Sequence, residues 1–259
     1  MTSGLSRREA LRGLAFGAAG SSINIPRANA DVAASPAAAS QPAGVCVLFP
    51  QAVEGPYYFD PKLVRSDIAD NRPGAPLQLS LKVIDNGHCT PIAKARVDVW
   101  HADAGGIYSG YANQGDNRDT SAKGKTFLRG TQLTDADGRA VFRSIYPGWY
   151  PGRTPHIHVK IFHDDKSLVT GQIYFPETLS ERIYRERQPY NARPVADTAN
   201  ANDFIFQSGE KEGGGTVFAV EEAADLISAQ LLIAVDRSGD AVRNASGWRG
   251  FFSGFFGRR

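Results

Sequence analysis

The stretch Pro147–Ile161, PGWYPGRTPHIHVKI, places two histidines, a tyrosine and an arginine within nine residues. In a β-strand, residues i and i+2 face the same way. His156 and His158 are therefore predicted to project together, with Ile157, Val159 and Ile161 packed on the opposite face. Two imidazoles on one strand face make a bidentate grip for a borderline or hard metal ion. Pro155 marks the start of the strand, where its missing N–H costs no ladder bond. Pro147, Gly148, Pro151 and Gly152 make the preceding loop a shaped turn, which brings Tyr150 and Arg153 beside the histidines. His-x-His alone is short and also occurs on ordinary exposed strands, so its meaning depends on what the rest of the chain brings to it.

The elements that must position these residues read as β-strands. Leu77, Leu79, Leu81 and Val83 alternate, as do Ala95, Val97 and Val99, and later Ile227, Ala229, Leu231, Ile233 and Val235. Strict alternation is the mark of a half-buried strand. Thr134-Asp135-Ala136-Asp137-Gly138 is a turn signal between Phe127–Leu133 and Arg139–Ile145, and predicts a hairpin. His156–Phe162 and Leu168–Phe175 follow as strands, and Glu177–Arg187 is the single short helix expected. Many short strands at regular spacing predict an all-β fold, an antiparallel-rich β-sandwich with long loops.

The chain has 259 residues, 42% of them apolar and 22% charged, with a formal net charge of +2. That balance suits a globular protein and argues for neither a nucleic-acid partner nor a membrane surface. No apolar run approaches the roughly 20 residues that span a bilayer. Ser6-Arg7-Arg8-Glu9-Ala10-Leu11 looks like a twin-arginine export signal, with Ala28-Asn29-Ala30 as a small-x-small cleavage site. The expected organisation is a signal over residues 1–30, an Ala/Pro/Ser-rich linker over 31–44, a sandwich domain over 45–238 and a Gly/Phe/Arg-rich tail over 239–259. Such a protein would work in the periplasm or outside the cell. Two cysteines occur, Cys46 and Cys89; in an oxidising compartment the pair predicts a disulfide.

Two further stretches keep company with His-x-His: Val97–Tyr111, VDVWHADAGGIYSGY, and Thr170–Phe175, TGQIYF. Together with Tyr150, Arg153, His156 and His158, they resemble the intradiol ring-cleavage dioxygenases, the catechol and protocatechuate dioxygenase family, in a compact secreted branch. The resemblance runs from roughly Val45 to Ser238. It implies one ferric ion per chain, Fe(III), held by Tyr108, Tyr150, His156 and His158. Phenolate is a hard anionic ligand, and a metal-bound tyrosine loses its proton well below its free pKa of about 10.

The resemblance also implies a course of reaction. A catechol and O2 are the substrates, and the ring opens between its two hydroxyl-bearing carbons to a muconate-type diacid. Tyr150 leaves the metal and takes a substrate proton, Arg153 stabilises charge on the ring, and Gln172 orients the site. Glu54-Gly55-Pro56-Tyr57-Tyr58 resembles the family's segment over the pocket, which makes Tyr57 a substrate contact. The connector from Tyr150 to His156 is shorter than in the cytoplasmic enzymes, and predicts a shallow, open cleft. Two other readings stand beside this one: a non-catalytic prealbumin-type β-sandwich module, and a cupin-like site built on His156 and His158. The sequence does not indicate an oligomeric state.

Overall fold

In the computed structural model residues 46–60 and 62–241 are described. The twin-arginine segment, the linker and the tail beyond residue 241 lie outside them. The strands are β1 Pro76–Asp85, β2 Arg96–Trp100, β3 Arg129–Leu133, β4 Arg139–Ile145, β5 His156–His163, β6 Lys166–Tyr174, β7 Ala219–Ala223 and β8 Leu226–Val235; the helices are α1 Glu177–Glu186 and α2 Phe204–Lys211. No described helix is long and apolar enough to cross a membrane.

Alternation along β1 buries Leu77, Leu79, Leu81 and Val83 and leaves Gln78, Ser80 and Lys82 half-covered. β1 pairs antiparallel with β4 and parallel with β8, and β7 lies on the outer edge of β8, giving the order β4-β1-β8-β7. The second sheet has the order β3-β2-β5-β6 and is antiparallel throughout. The inner faces of the two sheets share one core, in which Leu79, Phe142, Val97, Ile157, Val159, Ile161 and Ile233 are buried. Each large aliphatic side chain enclosed in this way contributes roughly 1.5–3 kcal/mol of transfer free energy. The β-sandwich read from the alternation is the observed fold.

Two local expectations are corrected. The turn after β3 forms: Gly138 N–H donates to the Asp135 carbonyl at 3.0 Å, and Asp135 Oδ1 accepts from the N–H groups of Asp137 and Arg139 at 2.9 and 2.8 Å. It does not close a hairpin, because β3 pairs with β2 and β4 with β1. The turn residues dictate a reversal of direction, whereas the partner of an alternating strand is set by tertiary packing. The chain therefore arches from one sheet to the other.

The second correction is a second helix. α1 follows its expected span and buries Leu179, Ser180, Ile183 and Tyr184 at helical spacing. α2 shows no such stripe, for its one buried residue is Gly209; its start is set by Asp203, whose Oδ1 accepts from Ile205 and Phe206 N–H at 2.9 and 3.2 Å.

Cys46 and Cys89 form a disulfide, with Cα atoms 5.8 Å apart. The bridge fastens the start of a strap that runs over the outer face of the second sheet. Ala52 N–H donates to the Thr170 carbonyl at 2.7 Å, Glu54 pairs with Lys160, Tyr58 donates to Asp98 at 3.0 Å, and Asp60 pairs with Arg96. The strap carries Tyr57 over the end of β5 where the histidines lie.

Candidate functional site

His156 and His158 lie side by side on β5, each 2% exposed, with their Nε2 atoms 3.2 Å apart. His156 Nδ1 lies 2.7 Å from the Thr154 carbonyl, which can only accept, so Nδ1 carries the proton and Nε2 presents a lone pair. Trp100, opposite His158 in the β2–β5 register, stacks on its ring at 4.8 Å and 10° and fixes its plane. Burial, reinforced by the charge of Arg153, pushes both imidazoles well below their ordinary pKa, so they are neutral. The Tyr150 hydroxyl lies 3.2 Å from His156 Nε2. Ligand atoms bonded at right angles to one ion lie about 3 Å apart for bonds of about 2.1 Å. Both spacings match that geometry.

Tyr108 arrives on the turn between β2 and β3. Asp103 Oδ1 accepts from the N–H groups of Gly105 and Ile107 at 2.9 and 3.0 Å, and the Asp103 carbonyl accepts from Gly106 at 2.8 Å. Gly106 has φ +80°, and a Cβ there would sit 2.3 Å from the Trp149 carbonyl oxygen, so the turn demands glycine. The same Asp103 carbonyl accepts from Gly148 N–H at 3.0 Å, which ties the Tyr108 turn to the Tyr150 loop. Arg72 neutralises the Asp103 carboxylate.

The Tyr108 hydroxyl is buried and, among the described residues, finds no hydrogen bond of ordinary geometry, although it faces the Tyr150 hydroxyl closely enough to interact with it. Its ring meets Tyr150 edge-on at 5.7 Å and His158 at 6.0 Å, and Tyr57 stacks on it at 4.7 Å. Burial, with Tyr150 adding to it, holds the Tyr108 phenol well above its usual pKa, against the pull of Arg153 and Arg129. Arg129 is itself buried. It grips Ser109 through Nε and Nη2 at 2.8 and 2.9 Å, lies 6.0 Å from the Tyr108 ring, and among the described residues has no carboxylate partner.

Arg153 stands on the turn between Tyr150 and β5. Its Nη1 donates to the Tyr150 hydroxyl at 3.3 Å, its Nη2 to Gln172 Oε1 at 2.5 Å, and its Nε to Asp203 Oδ2 at 2.7 Å. Gln172 lies on β6 directly opposite His158, and also accepts from the Tyr174 hydroxyl at 3.0 Å. Burial raises the Tyr150 pKa, opposed by the Arg153 charge. A cleft of about 210 Å³ opens beside Tyr57 and Tyr150, lined also by Gly106, Gln114, Arg118 and Pro151.

The structure thus brings Tyr57, Tyr108, Tyr150, Arg153, His156, His158 and Gln172 to one place. His101, the remaining buried histidine, belongs to the packing: its ring nitrogens lie 2.8 Å from the Ala102 carbonyl and 2.7 Å from Ser144 Oγ. Sequence reasoning missed Asp103, Arg129 and Asp203. Only Asp103 carries a local signal, an Asp before two glycines. Among the described residues no three His, Cys, Asp or Glu side chains gather as a metal cage. The donors that gather are two neutral imidazoles and two phenols, one of them a buried hydroxyl without an ordinary hydrogen bond. This set fits a hard trivalent ion, because two phenols supply anionic oxygen once a cation displaces their protons.

Residues 53–183 match the model of the family described as Dioxygenase. Among curated proteins, the protocatechuate 3,4-dioxygenase beta chain of Burkholderia cepacia is 34% identical over 127 residues, 45% of this chain and 52% of that protein. The chain therefore spans about half the length of this curated relative. Among solved structures, an intradiol ring-cleavage dioxygenase from Tetranychus urticae is 34% identical with a TM-score of 0.66, covering 74% of this chain and 95% of that one. The dioxygenase domain of a dioxygenase–carbohydrate-binding fusion from Streptomyces sp. SirexAA-E is 28% identical with a TM-score of 0.54, covering 73% and 98%.

Proposed function

The chain belongs to the intradiol ring-cleavage dioxygenases, and from that premise we propose that it holds one ferric ion and uses O2 to open catechol-type rings to muconate-type diacids. The observation that carries the reading is the convergence of the two His Nε2 atoms and the Tyr150 hydroxyl, with the buried Tyr108 phenol beside them, its ring 5.7 Å from that of Tyr150 and 6.0 Å from that of His158. A ferric ion bound there would supply Lewis acidity and a template for the substrate oxygens.

The chain's own residues do the rest. His156 and His158 are locked neutral donors, one by the Thr154 carbonyl and the other by the Trp100 ring. Tyr108 is enclosed and, with the ion bound, would supply the phenolate that stays in place. Tyr150 is only half-buried and lines the cleft, so its oxygen can part from the other donors and take a substrate hydroxyl proton. Arg153, aimed at the Tyr150 hydroxyl, is a preorganised charge for the anion that develops on the ring. Gln172 holds one arm of that guanidinium, and Tyr57 offers an aromatic face above Tyr108.

The short connector Pro151–Pro155 leaves little wall on one side of the cleft. Each absent wall contact gives up on the order of 1–3 kcal/mol of selectivity, so catechol and substituted catechols are cleaved with similar efficiency. We read the N-terminal Ser6–Leu11 stretch as a twin-arginine signal, with the folded, iron-loaded protein exported; the Cys46–Cys89 disulfide suits an oxidising compartment.

The visible spectrum and iron content of purified protein test the reading. Tyrosinate-to-ferric charge transfer makes the protein red-brown with one iron per chain. A protein that stays colourless after ferric loading overturns the proposal.

A further inference from the structure

Asp203 and the residues leading to it lie beyond the part of the chain that the family model matches, yet they clasp the loop that carries Tyr150 and Arg153. Trp149 Nε1 donates to the Pro194 carbonyl at 3.1 Å, Gly152 N–H to the Asp197 carboxylate at 3.1 and 3.2 Å, and Thr154 Oγ1 to Asn200 Oδ1 at 2.7 Å. The deepest member of the clasp is Asp203, which is fully buried. A buried carboxylate is stable only when its oxygens are paired and hydrogen-bonded. Here the two oxygens divide the work. Oδ1 caps α2, while Oδ2 accepts from Thr154 N–H at 3.1 Å and from Arg153 Nε at 2.7 Å.

The guanidinium is a planar fork. With Nε fixed on Asp203, the position of Nη1 against the Tyr150 hydroxyl and of Nη2 against Gln172 follows. We propose that Asp203 is the positioning residue that aims Arg153 at the reacting centre, so that the N-terminus of α2 completes a site whose other members come from the second sheet, its loops and the strap. The catalytic half of this inference rests on the proposed function; the aiming of Arg153 does not.

Two substitutions separate aiming from capping. Asp203→Ser keeps an N-cap hydroxyl for α2 but lacks the reach and the charge to hold Arg153. Asp203→Thr likewise keeps a capping hydroxyl without the reach or the charge to hold Arg153, and serves as the test should the serine variant fail to fold. In either variant the iron stoichiometry and the charge-transfer band are expected to stay as in the parent. The crystal structure is expected to show Arg153 Nη1 withdrawn from the Tyr150 hydroxyl. kcat on catechol is expected to fall about a hundredfold with KM little changed, the penalty of a misplaced catalytic group.

In an Arg153→Ala background the same Asp203 substitution should cost nothing further, since residues acting as one unit are not additive. The proposal is overturned if Arg153 keeps its place in the variant structure. A full additional loss of kcat in the Arg153→Ala background overturns it as well. A parent protein that cleaves no catechol defeats the dioxygenase reading, and the variant structure still decides the aim of Arg153.

Discussion

The two sheets of the sandwich are built from strands of similar length and share one core, but they treat their outer faces differently. In β4 of the first sheet, Ala140 and Phe142 point inward while Arg139, Val141 and Arg143 meet solvent. In the second sheet, β5 is buried from His156 through Val159 and β6 from Leu168 through Tyr174, because the Gln51–Asp60 strap and the site loops cover the second face. Sheets covered on both sides lose the simple in–out pattern. The covered face is where the polar residues are. Asp98 is satisfied there by Arg96, Tyr58 and Thr131. Other atoms find no hydrogen-bond partner among the described residues: Trp100 Nε1, Tyr108 Oη, Arg129 Nη1, His158 Nδ1 and Thr170 Oγ1. Among the described residues, no orphaned buried side-chain polar atom belongs to a strand of the first sheet. Both sheets supply the shared core, and the second alone also carries the unfinished chemistry.

That division can be broken by experiment, and the largest effect belongs to the second sheet. His158→Ala removes a donor and is expected to lower ferric affinity by more than about a hundredfold, beyond the usual cost of losing a mere supporting contact. Its metal-free form should unfold at nearly the parent's midpoint; iron titration and thermal melts check both halves. In the first sheet the fully buried Leu79 gives the reverse pattern. Leu79→Ala should cost about 3 kcal/mol of stability and leave iron stoichiometry and the specific activity of folded protein unchanged. Denaturant melts paired with assays well below the midpoint decide it, and a parallel loss of specific activity would erase the distinction drawn here. The smallest effect is expected at the solvent face. Arg143 and Asp67 pair at 2.7 Å while largely exposed, so Arg143→Ala should change stability by no more than about 0.5 kcal/mol, as a melt against the parent will show.

The same contrast explains what could be read from the sequence. β1 and β8 were legible because one face repeats every second residue. β7, with sequence AVEEA and mostly exposed, gave no alternation to read. The Asp135–Gly138 turn was visible, but the sheet each flanking strand would join was not, because strand partners are chosen at long range. In the site, Tyr108, Tyr150, His156 and His158 stand in short motifs with Gly, Pro and His at fixed offsets, Arg153 lies between Tyr150 and His156, and Gln172 stands in a short stretch of its own, TGQIYF. Asp203 does not. It reaches Arg153 across 50 residues of sequence, and a lone aspartate ahead of a short helix reads as a cap and nothing more. Arg129 was hidden for a related reason, since a lone arginine in a strand reads as surface until its burial is seen.

The parallel pairing of β1 with β8 bears on how the molecule comes into being. Leu77 of the first strand sits against Ile227 of the last, so the centre of the first sheet can close only after nearly the whole domain has been synthesised. Contacts this distant in sequence are slow to form, since the loop between them must be closed before the pairing stabilises anything. The β5–β6 hairpin, by contrast, is local and can pair early. During synthesis the strand bearing both histidines therefore exists before the sheet that will support it from behind is complete, with its apolar face of Ile157, Val159 and Ile161 covered at first by no more than β1 and β4. That interval is when the nascent chain is most open to aggregation, and it ends only when β8 slots between β1 and β7.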